Sequence, residues 1–153
     1  MLNRTFGVGL CVTMLTLAGC SGRPSEMAAN TGICADFKQP KAVIAGVSAD
    51  AAAVDECVRR WAYSLASSTD DAGRVSEAAA SACNAQLARW NQQTLTQAGA
   101  EDASASLVTG EPTTALADHY AFSRSRALLY VVQARAGRCE SPPAKDGAPE
   151  GIS

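Results

Sequence analysis

His119 is the only histidine in the chain, with Asp118 directly before it and Ser123 and Ser125 about a turn beyond. A histidine beside a carboxylate and hydroxyls is the residue set of a serine nucleophile activated by a base. That chemistry also needs the base oriented by a third group and an oxyanion donor. No strand–turn–helix nucleophile elbow stands in the sequence. His119 is therefore read as a polar-face residue, and a hydrolase built on Asp118-His119 is the most distant of three functional readings. Phosphate-cradling glycine loops, paired-histidine metal helices and dinucleotide fingerprints are also missing from the sequence, so neither a cofactor nor a metal is expected. Asp70-Asp71 and Glu101-Asp102 are carboxylate pairs, but they fall in loops, where helix capping accounts for them.

Six other side chains suit recognition rather than catalysis. Trp61 and Trp90 could stack on a ligand, although tryptophans on apolar helix faces ordinarily belong to a core. Arg124 and Arg135 could hold an anionic group such as a lipid phosphate or a glycan carboxylate. The plainer expectation is that their stems run along the core edge while their heads reach water or acids. Phe122 and Leu129, seven residues apart, project together from the side of their helix opposite its main apolar arc. If exposed, they form an apolar spot that a protein partner could cover; the alternative is that residues 36–47 bury them.

The six cysteines are Cys11, Cys20, Cys34, Cys57, Cys83 and Cys139. Among the last four, no two are two to four residues apart, which disfavours a structural zinc site. Two of the six stand in a distinctive amino-terminal context. Residues 1–5 carry one positive charge, Arg4, and residues 6–17 ("FGVGLCVTMLTL") are uncharged and largely apolar. This is the pattern of an export signal, and it is too short for a span, which needs about 20 apolar residues.

Leu17-Ala18-Gly19-Cys20 resembles the lipobox of bacterial lipoproteins in letters and in position. The resemblance implies a thioether-linked diacylglycerol on Cys20, cleavage after Gly19 and acylation of the new amino end. Ser21 follows the cysteine, whereas Asp there would resemble an inner-membrane retention signal, so the outer membrane is favoured. Two or more acyl chains anchor a protein stably. Residues 1–19 are then a removed signal, residues 20–33 a lipidated tether of roughly 20 Å reach, residues 34–139 a folded body, and residues 140–153 a Pro- and Gly-rich disordered tail. Without residues 1–19 the chain has 12 basic and 15 acidic side chains, a net charge of −3. That balance offers no basic footprint for nucleic acid.

Three helices are expected to form the body. Residues 48–68 place Val54, Cys57, Val58, Trp61 and Leu65 on one face, with Ser48 or Asp50 as cap. Asp55–Arg59 and Glu56–Arg60 are spaced as surface pairs. Residues 70–99 read as one second helix with Val75, Ala79, Ala82, Cys83, Leu87 and Trp90 on its apolar face, capped by Asp70 or Asp71. Residues 67–71 are a short break, which makes the two helices an antiparallel hairpin. A third helix runs from about Pro112 to Gly137 with an apolar arc of Leu116, Tyr120, Ala127, Leu128, Val131 and Val132. An extended piece is expected near Val43–Ile44.

Four cysteines allow three pairings, and the hairpin favours one. Cys57 lies thirteen residues before Asp70 and Cys83 thirteen after it, so both stand roughly 20 Å from the turn. Cys57–Cys83 is the preferred bridge, leaving Cys34–Cys139 to join the ends of the body. Loop closure gives the two roughly 3.5 and roughly 4.7 kcal/mol, a large share of a typical stability of about 5–15 kcal/mol. The segments "VDECVRRWAYSLA" and "AASAC" are also similar to parts of small exported helical proteins of proteobacteria without an assigned activity. This supports the cysteine-paired hairpin and implies no substrate.

The expectation is thus an all-α body of about three helices stapled by two disulfides, lipid-anchored in the cell envelope and facing the periplasm. Its leading function is non-enzymatic, as an interaction or structural accessory touching another envelope protein. A small ligand-binding or inhibitor lipoprotein using Trp61, Trp90, Arg124 and Arg135 is the alternative.

Overall fold

A computed structural model describes residues 32–38, 47–97 and 104–152. The signal segment, Cys20, most of the expected tether and the Val43–Ile44 piece lie outside the described residues. The described chain is mostly helical, with four helices: α1 (Ala49–Leu65), α2 (Ala72–Ala82), α3 (Asn84–Thr96) and α4 (Ala115–Gly137). Two-residue strands form two small antiparallel ladders, β1 (Ser104–Ala105) with β2 (Pro112–Thr113) and β3 (Ala144–Lys145) with β4 (Ala148–Pro149). Among the described residues no helix is long and apolar enough to cross a membrane.

Helix starts follow side-chain chemistry. The hydroxyl of Ser48, the carboxylate of Asp71 and the hydroxyl of Thr114 each accept a backbone N–H from the first turn they cap, those of Ala51, Arg74 and Ala117. Each cap relieves one of the orphan donors of a helix end and is worth about 1 kcal/mol. The other end of α1 is closed from a distance. Arg135 of α4 donates from Nε to the carbonyl of Ala66 at 3.0 Å, and from one terminal nitrogen to those of Ser68 (3.0 Å) and Asp70 (2.8 Å). A cation on the carbonyl end of a helix is the favourable polarity.

The expected second helix is two helices. Cys83 leaves helical geometry (φ −101°, ψ 16°), serving as the last cap of α2 and the first of α3. No Gly or Pro marks the break. The chain bends there so that Gln86, Leu87 and Trp90 turn inward toward α1 and α4 while Cys83 stays bonded in the core. Both expected disulfides form: Cys57–Cys83 with Cα atoms 5.8 Å apart, and Cys34–Cys139 with 5.4 Å.

The core centres on α1, which packs against all three other helices. Val54, Val58 and Ala62 are completely buried there, and Ala127, Val131 and Ala134 answer from α4, with Tyr63 and Trp90 as the large members. Each buried valine contributes about 1.5–3 kcal/mol. Trp61 and Leu65, expected in the core, are only half-buried against it.

Two further regions differ from expectation. Helix α4 ends at Gly137, as expected, but the close approach of the bridge and not a left-handed cap is what needs glycine there. A Cβ there would lie 2.7 Å from Cys139 Sγ and 2.9 Å from Cys34 Sγ, so the bridge demands glycine. The left-handed cap then falls to Arg138 (φ 50°, ψ 46°), an uncommon place for a side chain. The segment 140–152, expected to be disordered, instead forms the β3–β4 hairpin around Asp146-Gly147, both at positive φ. A two-residue turn of this kind is why Asp-Gly sequences close hairpins. Pro142 and Pro149 are buried, Ile152 packs on the core, and Arg60 of α1 donates to the Glu150 carbonyl at 2.6 Å.

Candidate functional site

The inward side of α4 is unusually polar for a core helix. Asp118, His119, Ser123 and Tyr130 are buried along it. His119 lies flat against Trp90 of α3, ring centroids 3.5 Å apart, and Phe122 meets the same indole edge-on at 5.6 Å. Its Nδ1 donates to Asn91 Oδ1 at 2.7 Å. Burial pushes the His119 pKa below its ordinary value, and the Asp118 carboxylate partly opposes that. His119 is therefore a buried neutral imidazole and not the polar-face residue expected from sequence.

The neighbours of His119 do not assemble a hydrolytic site. Asp118 faces away to accept the backbone N–H of Leu107 at 2.8 Å, pinning the turn between β1 and β2. The hydroxyl of Ser125 donates to the carbonyl of Ala121. Ser123 is buried, and its hydroxyl finds no partner among the described residues. Asn91 orients the imidazole, but among the described residues no hydroxyl or thiol is hydrogen-bonded to its other nitrogen, so the nucleophile that acyl transfer uses is missing from this contact set.

A second polar cluster went unrecognised in the sequence. Asp55 of α1 is only 1% exposed, and it accepts from Arg126 Nε at 2.6 Å and from the Tyr130 hydroxyl at 2.9 Å. Arg126 also donates to the Tyr130 hydroxyl. Burial pushes the Tyr130 pKa up, with Arg126 opposing. Asp55 had been assigned to a solvated helix face; instead it faces α4, while Glu56 takes both Arg59 and Arg60. The available signal was Arg126 and Tyr130, four apart on one helix face, awaiting an acid. The cluster joins α1 to α4 and its groups satisfy one another, so it offers no free reactive atom.

The residues proposed for recognition are dispersed. Trp90 is sealed by His119 and Phe122, and Trp61 is half-buried at the core edge. Arg124 pairs with Glu77 of α2 and lies over the Tyr120 ring. It lines a groove of about 340 Å³ between α2 and α4 with Gly73, Ser76, Tyr120 and Leu128. Arg135, occupied by the α1 carbonyls, lines a different cleft with Tyr63 and Ser141. The structure does not bring the four together around one cavity. Phe122 and Leu129 also part company: Phe122 is 8% exposed and belongs to the core, Leu129 is 41% exposed. The expected two-residue apolar spot does not exist, because the inward face of α4 is set by Trp90 and not by residue count.

What exists in its place is larger. Leu116, Tyr120, Leu128, Leu129 and Val132, all on α4, are between 41% and 53% exposed. Four of these five belong to the arc expected to be buried. Each step of four turns a helix by about 40°, so Leu128, Leu129 and Val132 share one side of α4, while Leu116 and Tyr120 stand round the helix from them nearer its amino end. Ala117, Ala121 and Ala136 are exposed on the same helix. The α2–α4 groove opens beside Tyr120 and Leu128, so the cluster borders a concavity at Leu128. Such an arrangement can cover or be covered by apolar side chains, and carries no chemistry of its own. Among the described residues, no group of acidic, histidine or cysteine side chains could hold a metal ion. The chain matches no family model, no curated protein and no solved structure.

Proposed function

We propose that this protein is a lipid-anchored accessory of the cell envelope, exported and acylated at Cys20, whose helical body docks onto another envelope protein and performs no catalysis. The observation that carries the docking half is the cluster of Leu128, Leu129 and Val132, half-exposed and large, on one side of α4. Contiguous apolar surface of this kind marks sites that partners cover. The adjoining groove suits one inserted side chain, with Arg124 at its rim. The anchoring half rests on the Leu17–Cys20 motif, and two disulfides are compatible with an oxidising compartment. The outer membrane, with the body facing the periplasm, is the favoured address because Ser21 follows the lipidated cysteine.

The two halves are tested separately. Metabolic palmitate labelling of the wild-type protein, lost in Cys20→Ser, is expected for the anchor; an unlabelled wild type refutes it. For docking, the Leu128→Ser/Leu129→Ser/Val132→Ser protein should fold normally and lose its crosslink to a discrete envelope protein. Undiminished crosslinking by that variant refutes the role of this face.

A further inference from the structure

The two disulfides occupy opposite environments. Cys57 and Cys83 are 1% and 0% exposed, inside the packing of α1 and α2. Cys34 and Cys139 are only half-buried and form part of the wall of a cleft of about 610 Å³. We infer that the Cys34–Cys139 bridge is a thiol–disulfide exchange site, reduced by a dithiol protein or small dithiol while Cys57–Cys83 remains closed.

Exchange requires a thiolate to reach a disulfide sulfur, so access separates exchangeable bridges from structural ones. The cleft supplies that access. Its charges do not oppose an anionic attacker: Lys38 and Arg138 line it and form no ion pair among the described residues. Asp36 and Glu140 line it too, balancing them, and Asp36 also accepts the Lys38 backbone N–H at 2.9 Å. Beside the bridge, Arg138 holds a left-handed conformation that glycine or asparagine would occupy more cheaply. Its cationic side chain therefore stands at the bridge at a conformational cost.

The chemistry balances with the dithiol as reductant. Its thiolate attacks one sulfur of the bridge, the S–S bond breaks, and the other cysteine leaves as a thiolate that takes a proton from water. The second thiol of the reductant then displaces the first from the mixed disulfide. Two electrons pass to Cys34 and Cys139, which become thiols, and the dithiol becomes a disulfide.

Opening this bridge gives up its loop constraint, the larger of the two and a large share of a typical stability, but removes no contact inside the bundle's buried centre. The core valines and alanines, the Asp55 cluster and Cys57–Cys83 are all independent of it. Residues 32–38 are then held only by weaker contacts. The Tyr63 hydroxyl bonds the Ile33 carbonyl and accepts the Ala35 N–H, and Phe37 packs edge-on against Tyr63. On the proposed acylation at Cys20, the bridge therefore sets the leash. When it is closed, Cys34 is fixed 14 residues from the lipid; when it is open, the Tyr63 and Phe37 contacts take over that hold. The maximum span from the lipid to Cys34 is about 48 Å.

The test uses the oxidised protein extracted from the envelope in mild detergent and exposed to dithiothreitol, with timed alkylation and peptide mass spectrometry. Cys34 and Cys139 should become alkylated at least 100-fold faster than Cys57 and Cys83, with unchanged helical circular dichroism. Hydrogen exchange at the Ala35 amide should rise in step. Simultaneous labelling of all four cysteines, earlier labelling of Cys57 and Cys83, or labelling only as helicity is lost would each overturn the inference. The Cys34→Ser/Cys139→Ser variant should keep the bundle and the slow Cys57–Cys83 bridge; its collapse would also count against the proposal. Repeating the measurement on Cys20→Ser separates the two readings, because failed acylation would remove the leash consequence and leave the exchange rates as they are.

Discussion

Along its inward face α4 carries Asp118, His119, Arg126 and Tyr130, each bonded to a group on another element. Along its outward face it carries Leu128, Leu129 and Val132, all substantially in water, with Leu116 and Tyr120 exposed nearer its amino end. The inward face works because its polar groups meet matched partners and because Ala127, Val131 and Ala134 let α1 approach closely. A buried polar group with a partner costs little, whereas one without costs about 1–3 kcal/mol. The outward face has no such compensation among the described residues. Burial in this bundle is decided by fit and pairing, and the large apolar residues left over point to a contact outside it.

The sharpest way to break this comparison is to remove the inward anchors. Trp90→Ala should cost about 3–5 kcal/mol, since it leaves a cavity beside His119 and Phe122. Asp55→Ala should cost about 3 kcal/mol, the lower end for a broken buried pair because Arg126 keeps some access to water. Urea denaturation measures both; a loss below about 1 kcal/mol in either would mean the inward face is not what holds α4.

Acid should sharpen the contrast further. His119 has a lowered pKa in the folded protein, so as pH falls the unfolded chain takes up the proton first. The stability due to neutral His119 is present above its unfolded value of about 6.5 and declines as pH drops below it. His119→Gln should flatten the fall in stability between pH 7.5 and pH 5 relative to wild type. Parallel profiles would show that the imidazole does not titrate as its burial requires. The smallest effect is expected on the outward face, where Leu128→Ser, Leu129→Ser and Val132→Ser should each change stability by about 0.5 kcal/mol or less.

How much of this was legible in the sequence depends on the kind of signal. The disulfide pairing was, because the cysteines stand symmetrically about the Ser67–Asp71 turn and helix rise converts that count into a distance. The caps at Ser48 and Asp71 were, since such residues act locally. The break at Cys83 was not: Cys83 and Asn84 are weak helix formers but no Gly or Pro marks the place, and the inward packing of Leu87 and Trp90 accompanies the bend. The orientation of α4 misled for a related reason. Apolar residues lie all round that helix, so its buried side was selected by Asp55, Asn91 and Trp90 on other elements, which periodicity cannot see. The tail hairpin was legible in Asp146-Gly147 but was outweighed by its proline and glycine content. As for the candidate site, the sequence left open whether Phe122 and Leu129 are exposed; the fold puts Phe122 in the core and leaves Leu129 in water.

The central claim is that the outward face of α4 is covered by a protein partner in the envelope. A photo-crosslinking amino acid placed at Leu129 or Val132 in living cells should yield one discrete adduct. The same probe at Ala53 of α1 or Ala85 of α3, exposed positions on other helices, should yield none. Equal adducts at all four positions, or none at 129 and 132 in a correctly folded and localised protein, would contradict the account.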